Sequence, residues 1–123
     1  MTGSEWVVEA YGCDPVRLAD VASMRALFSA MVDELALNPV GEALWHRFPE
    51  PGGITGMLLL AESHLTVHTF PEHGSLCINL FCCTPRDGWA WDTRLAALVG
   101  AETVQTRVLT REYAAVPLVA PGT

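Results

Sequence analysis

The chain has 123 residues and a formal net charge of −7; half of its residues are hydrophobic and 17% are charged. It therefore reads as one globular domain with a single core, not a disordered chain, and its acidic balance argues against binding nucleic-acid phosphates. The longest uninterrupted apolar run, Met57–Ala61, is too short to cross a membrane, and the opening MTGSEWVVEA lacks the pattern of a secretory signal, so a cytoplasmic address is the expectation.

Residues 5–12, EWVVEAYG, combine β-branched and aromatic side chains and predict a first strand, ended by a Gly-Cys-Asp-Pro turn signal. Asp14 followed by Pro15 has the form of a helix N-cap with proline in the first helical position. Leu18, Val21, Met24, Leu27, Phe28, Met31, Val32 and Leu35 then recur at helical spacing, which predicts one helix running to about Ala36. NPVGEALWHRF (38–48) gives a turn and a second strand, and EPGG (50–53) a tight connection. Residues 54–61 read as a third strand and 65–70 as a fourth, with the turn between them at Glu62–His64; residues 75–83 make a fifth. WAWDTRLAALVGA (89–101) predicts a second helix with Leu95, Leu98 and Val99 in the core, and ETVQTRVLTREY (102–113) an alternating last strand before a frayed tail, 116–123. There is no internal repeat or linker. This order predicts an α/β (α+β) fold: a two-layer sandwich with a mostly antiparallel sheet and both helices on one face.

Strand alternation sorts the side chains further. In the fifth strand Leu76, Ile78, Leu80 and Cys82 share the face expected to meet the helices, while Cys77, Asn79, Phe81 and Cys83 share the other. In the fourth, Leu65, Val67 and Thr69 alternate with Thr66, His68 and Phe70. Met57–Leu60 is apolar at both parities, which predicts that both faces of the third strand are covered. Two helices cover only one face, so the expectation is a homodimer formed sheet against sheet. The four cysteines, Cys13, Cys77, Cys82 and Cys83, form no C-x-x-C pair, and a cytosolic chain of this size needs no disulfides. Cys13, Cys77, Trp45, Trp89 and Trp91 read as packing residues.

The segment AESHLTVHTFPEHG (61–74) concentrates polar chemistry just after the apolar run. Three readings compete for it. A metal site would use His64 and His68 with His73 or Glu72, but in a strand the first two lie about 13 Å apart, and Pro71 breaks the element before a third ligand. A decorated hairpin needs no chemistry at all. In the third reading Ser63 attacks the carbonyl of its own upstream peptide bond, provided the turn holds that bond strained and accessible. The amide becomes an ester, elimination cuts the chain, and the old serine ends as a pyruvoyl group, an electron sink that works without pyridoxal phosphate. His68 is the candidate base for the serine Cα proton.

AESHLTVHTFPE resembles the processing motif of the prokaryotic S-adenosylmethionine decarboxylase proenzymes, E-S-H-L-[TS]-x-H-T-W-P-E. The resemblance extends to YGCD (11–14), HRF (46–48), residues 53–56 and the Phe-x-Cys at 81–83, and so covers most of the chain. It implies cleavage between Glu62 and Ser63 into chains 1–62 and 63–123. Ser63 would then become the pyruvoyl group that carries the substrate Schiff base. The resemblance further implies that His68 assists processing, with Thr55 where a serine is usual, and that Cys83 returns a proton to the substrate carbon. Parity independently prefers Cys83 to Cys82. Phe48 matches an aromatic that stacks on adenine, and Glu72 a carboxylate near the ribose hydroxyls. An α/β sandwich that dimerises is implied as well, with no metal.

Departures cluster around the expected substrate pocket: Phe70 replaces tryptophan, Asn79 an acidic residue, and Thr84 stands where glycine is common. The implied activity is decarboxylation of S-adenosylmethionine for spermidine and other polyamines. The alternatives are the same pyruvoyl machinery acting on arginine or ornithine, and a binding or regulatory homologue that is never processed.

Overall fold

The structure is a computed structural model that describes residues 2–115, so the tail at 116–123 lies outside the described residues. Strands β1 (Thr2–Tyr11), β2 (Leu44–Arg47), β3 (Ile54–Leu60), β4 (Ser63–Phe70), β5 (Ser75–Cys82) and β6 (Thr103–Glu112) form one sheet in the order β2-β3-β4-β5-β1-β6. Each neighbouring pair is antiparallel. Helices α1 (Pro15–Leu18), α2 (Val21–Glu34) and α3 (Trp91–Val99) cover one face. There Trp6, Val8, Leu65, Val67, Leu76, Ile78 and Leu80 join Met24, Leu27, Met31, Leu95 and Val99 in one buried core. The expected two-layer α+β sandwich is the observed architecture.

The single long helix expected from the apolar spacing is instead two. Asp14 caps α1 as predicted, its carboxylate accepting the Val16 N–H at 3.0 Å. The Leu18 carbonyl then accepts from Thr69 Oγ at 2.7 Å, and Ala22, whose N–H a continuous helix would send to Leu18, donates to the Asp20 carboxylate at 3.3 Å. Asp20 also accepts from Ser23 Oγ at 2.9 Å and starts α2 afresh. Periodicity misses this break because the apolar stripe continues through it.

The β3–β4 connection is tighter than the expected turn at Glu62–His64. Leu60 pairs with Ser63, leaving only Ala61 and Glu62 in the turn, so Ser63 opens β4 and also pairs with Cys82 of β5. On the other face the sheet lies open within one chain. Leu58 and Leu60 are buried, but Met57 and Leu59 remain 54% and 59% exposed. β6 is an edge strand and largely exposed; Val104 packs partly against the core.

Candidate active site

The backbone at Ser63 has φ 155°, a region that side-chain-bearing residues rarely occupy. Holding a non-glycine residue there costs on the order of 1–3 kcal/mol and persists only where the surroundings over-determine it. Those surroundings are visible. The Glu62 carbonyl, which belongs to the Glu62–Ser63 peptide, accepts the Cys83 N–H at 2.8 Å. The Glu62 side chain is only 6% exposed. Its Oε1 accepts the Asn38 N–H at 2.8 Å, and its Oε2 accepts Asn38 Nδ2 at 2.8 Å and Arg86 Nη2 at 3.2 Å. Burial opposes the charge on Glu62, but the two Asn38 donors, the residue's own backbone N–H and Arg86 together hold the carboxyl below its ordinary value. Cys83 lies just past the end of β5 and is partly buried, whereas Cys82 is fully buried and its thiol is pushed up to about 11 by that burial.

A second cluster occupies the far end of β3 and β4. Thr55 and His68 are register partners, and Thr55 Oγ lies 3.1 Å from His68 Nδ1. Both line a cavity of about 330 Å³ together with Phe48, Phe70 and Glu72. Every site residue expected from sequence thus falls into one of two groups: Glu62, Ser63 and Cys83 at the β3–β4 turn, and Phe48, Thr55, His68, Phe70 and Glu72 at the cavity. The groups do not meet within one chain. His68 is five residues along β4 from Ser63, about 17 Å of extended backbone, so the two side chains of one chain stand apart. Among the described residues no three His, Cys, Asp or Glu side chains gather as metal ligands.

From His64, next to Ser63, a chain of polar contacts that sequence reasoning missed crosses β5 and β1 to β6. Arg111 Nη1 donates to Glu5 at 2.7 Å, Asn79 Nδ2 donates to the other Glu5 oxygen at 2.8 Å, and Asn79 Oδ1 meets His64 Nε2 at 2.9 Å. A carboxylate only accepts, so Asn79 must turn its NH₂ to Glu5 and its oxygen to His64, whose Nε2 therefore carries the proton. The Asn79 and Arg111 donors hold the Glu5 carboxyl below its ordinary value. An acidic residue at 79 would face Glu5 with like charge, which accounts for the amide here. Only position 79 stood out in the sequence, as a departure from the family pattern; His64, Glu5 and Arg111 carried no local signal of their contact.

The sequence model of the family "S-adenosylmethionine decarboxylase" matches residues 4–112, nearly the whole described chain. The chain belongs to this family. Among its relatives is the S-adenosylmethionine decarboxylase proenzyme of Geobacillus kaustophilus, 34% identical over 111 residues that cover 89% of this chain and 86% of that one. The proenzyme of Parasynechococcus marenigrum is 39% identical over 83 residues, 68% of this chain; the match spans just 63% of that relative's length. Of solved structures, the adenosylmethionine decarboxylase of Aquifex aeolicus VF5 superposes with a TM-score of 0.74, covering 95% of this chain and 96% of that one at 24% identity. It supports the family's fold for this chain. No helix among the described residues is long and apolar enough to cross a membrane.

Proposed function

We propose that this protein is a self-cleaving, pyruvoyl-dependent decarboxylase that converts S-adenosylmethionine to its decarboxylated aminopropyl donor for polyamine synthesis. The observation that carries the reading is the Glu62–Ser63 junction, with its serine at φ 155° and its carbonyl on the Cys83 N–H. Ser63 Oγ attacks the Glu62 carbonyl carbon. The C–O bond forms, the C–N bond breaks, and the serine proton passes to the freed nitrogen, leaving an ester. The Cys83 N–H is placed to stabilise the negative charge that gathers on the carbonyl oxygen during attack. A base then removes the Ser63 Cα proton, the Cβ–O bond breaks, and the chain parts with a carboxylate on Glu62. Water replaces the nitrogen of the resulting dehydroalanine, which leaves as ammonia, and residue 63 becomes pyruvoyl. The Ser63 position fits such a group because the strain that favours attack is released when the peptide bond is cut.

When bound, the pyruvoyl group supplies an electron sink for decarboxylation. The chain's own residues do the rest. Cys83 gives the proton that the substrate carbon needs after carbon dioxide leaves. Phe48 and Phe70, both exposed at the cavity, offer ring faces for adenine, and Glu72 offers hydrogen-bond acceptors for ribose hydroxyls. His68, supported by Thr55, acts as the processing base. Because His68 cannot reach Ser63 along one strand, we assign that role across a homodimer. A second copy stacked on the open face covers Met57 and Leu59 and sets its His68 against the first chain's Ser63. Two-fold symmetry then builds the same pair twice. The four free thiols suit a reducing cytoplasm.

Intact-mass measurement tests the reading. Purified protein is expected as two species, 1–62 and 63–123, the second without a free amino terminus, while Ser63→Ala stays full length. A wild-type chain that remains whole after long incubation would return the protein to the class of binding homologues. Carboxyl release from labelled S-adenosylmethionine, arginine and ornithine, assayed side by side, tests the substrate; release from either basic amino acid alone overturns this choice.

A further inference from the structure

The clamp on Glu62 has a reach that the cleavage chemistry alone does not call for. Arg86 Nη2 contacts the Glu62 carboxylate, while its Nη1 donates to the Leu35 carbonyl and, at 2.9 Å, to the Ala36 carbonyl just beyond α2. Asn38 grips the same carboxylate from the segment that follows α2, and its carbonyl accepts the Ala61 N–H at 2.8 Å. Pro39 bridges to Leu60, and the Val40 N–H donates to the Leu59 carbonyl at 2.8 Å. One guanidinium thus ties the end of α2 to the residue that bears the scissile carbonyl. The side chains of Arg86 and Glu62 are 17% and 5% exposed, so the pair is nearly dry.

A buried ion pair contributes little net stability compared with apolar residues of the same volume, because both charges lose their water. What it supplies is a defined position. Here the position is that of Glu62, whose carbonyl must stay fixed while Ser63 is held in a backbone conformation it would otherwise leave. From downstream, β-ladder pairing of Ser63 with Leu60 and Cys82 holds the serine. Upstream, the fixed points on Glu62 are Asn38, Arg86 and the Cys83 N–H. Removing the upstream grip lets the junction relax to ordinary extended backbone and ends the approach of Oγ to the carbonyl.

We propose that Arg86, acting with Asn38, is a positioning residue for self-cleavage that holds Glu62 so that the strained 62–63 peptide presents its carbonyl to Ser63. The proposal rests on the self-processing reading above. It places the effect of Arg86 at the first step, formation of the ester, whereas His68 acts at the second, removal of the Cα proton.

That difference gives the test. Cleavage is followed by intact mass for wild type, Arg86→Gln, Arg86→Lys and His68→Ala, with and without hydroxylamine, which severs an ester at residue 62 but leaves an amide intact. Circular dichroism melting checks each fold. Because Arg86→Gln strands a buried carboxylate, the double variant Glu62→Gln with Arg86→Gln, which removes both charges, replaces it if the single variant does not fold. The expected result is a folded Arg86→Gln or double variant that cleaves at least tenfold more slowly than wild type. Hydroxylamine should release no fragments from it, while His68→Ala releases them. Arg86→Lys, which restores the charge but not the fork that spans three acceptors, should fall between. Cleavage of a folded Arg86→Gln or double variant within threefold of wild type overturns the proposal, as does ester accumulation like that of His68→Ala. A wild-type chain that never cleaves fails differently, since it removes the self-processing reading and this proposal with it.

Discussion

Cys82 ends β5 with its thiol buried on the helix side, whereas Cys83, one residue later, is partly exposed and has its N–H on the Glu62 carbonyl. Fully buried in the core on the helix side, with its thiol pushed up to about 11 by that burial, Cys82 is a small apolar filler out of reach of a substrate. Cys83→Ala keeps the backbone N–H and should therefore process normally. It should lose decarboxylase turnover by roughly a hundredfold or more, the usual worth of a positioned acid. Protonation at the wrong carbon should also convert residue 63 to alanine, a change visible by mass during turnover. Cys82→Ala should keep its activity and lose about 1 kcal/mol of stability. Equal loss of activity in both variants would remove Cys83 as the donor. Alternation along a strand is a local property, so the difference between these two thiols was legible in sequence. The grip on Glu62 was not. Asn38 and Arg86 each lie 24 residues from it along the chain, and no spacing rule links them. His64 was equally opaque, since its role depends on Asn79 in β5 and Glu5 in β1.

Elements were legible where their pattern repeats and illegible where a distant side chain interrupts them. All six strands and the capped start of α1 follow from local composition, and parity placed Leu65, Val67, Leu76, Ile78 and Leu80 in the core, where they are found. The break between α1 and α2 depends instead on Thr69, a buried residue on the apolar face of β4. Thr69 Oγ donates to the Leu18 carbonyl at 2.7 Å and accepts the Ile54 N–H at 2.9 Å, so one hydroxyl joins α1, β3 and β4 beside the cavity. Thr69→Val keeps the shape and deletes both bonds. Two buried backbone groups then lack partners, at about 1–3 kcal/mol each. Urea unfolding in a Ser63→Ala background, where the chain stays whole, should show a loss of roughly 2 kcal/mol or more. A midpoint unchanged from the parent would mean that the helix break has another cause.

At the scale of the whole molecule, the open face poses a geometric problem that the proposed homodimer would solve. The cleavage group and the cavity group sit at opposite ends of β4, with the exposed Met57 and Leu59 on the neighbouring β3. In the proposed composite arrangement each chain's Ser63 is served by the other chain's His68. Co-expression of a Ser63→Ala chain with a His68→Ala chain separates this from service within one chain. In the hybrid dimer one junction is dead twice over, since it combines the alanine at 63 with the alanine at 68. The other combines the intact Ser63 of the His68→Ala chain with the intact His68 of the Ser63→Ala chain. Expressed alone, neither variant should yield 1–62 and 63–123. Together, the His68→Ala chain alone should be cut, in proportion to the hybrid fraction, and a mass label on either variant identifies it. Absence of cleavage in verified hybrid dimers would return His68 to its own chain, and a large rearrangement of β4 would then be needed to bring it to Ser63.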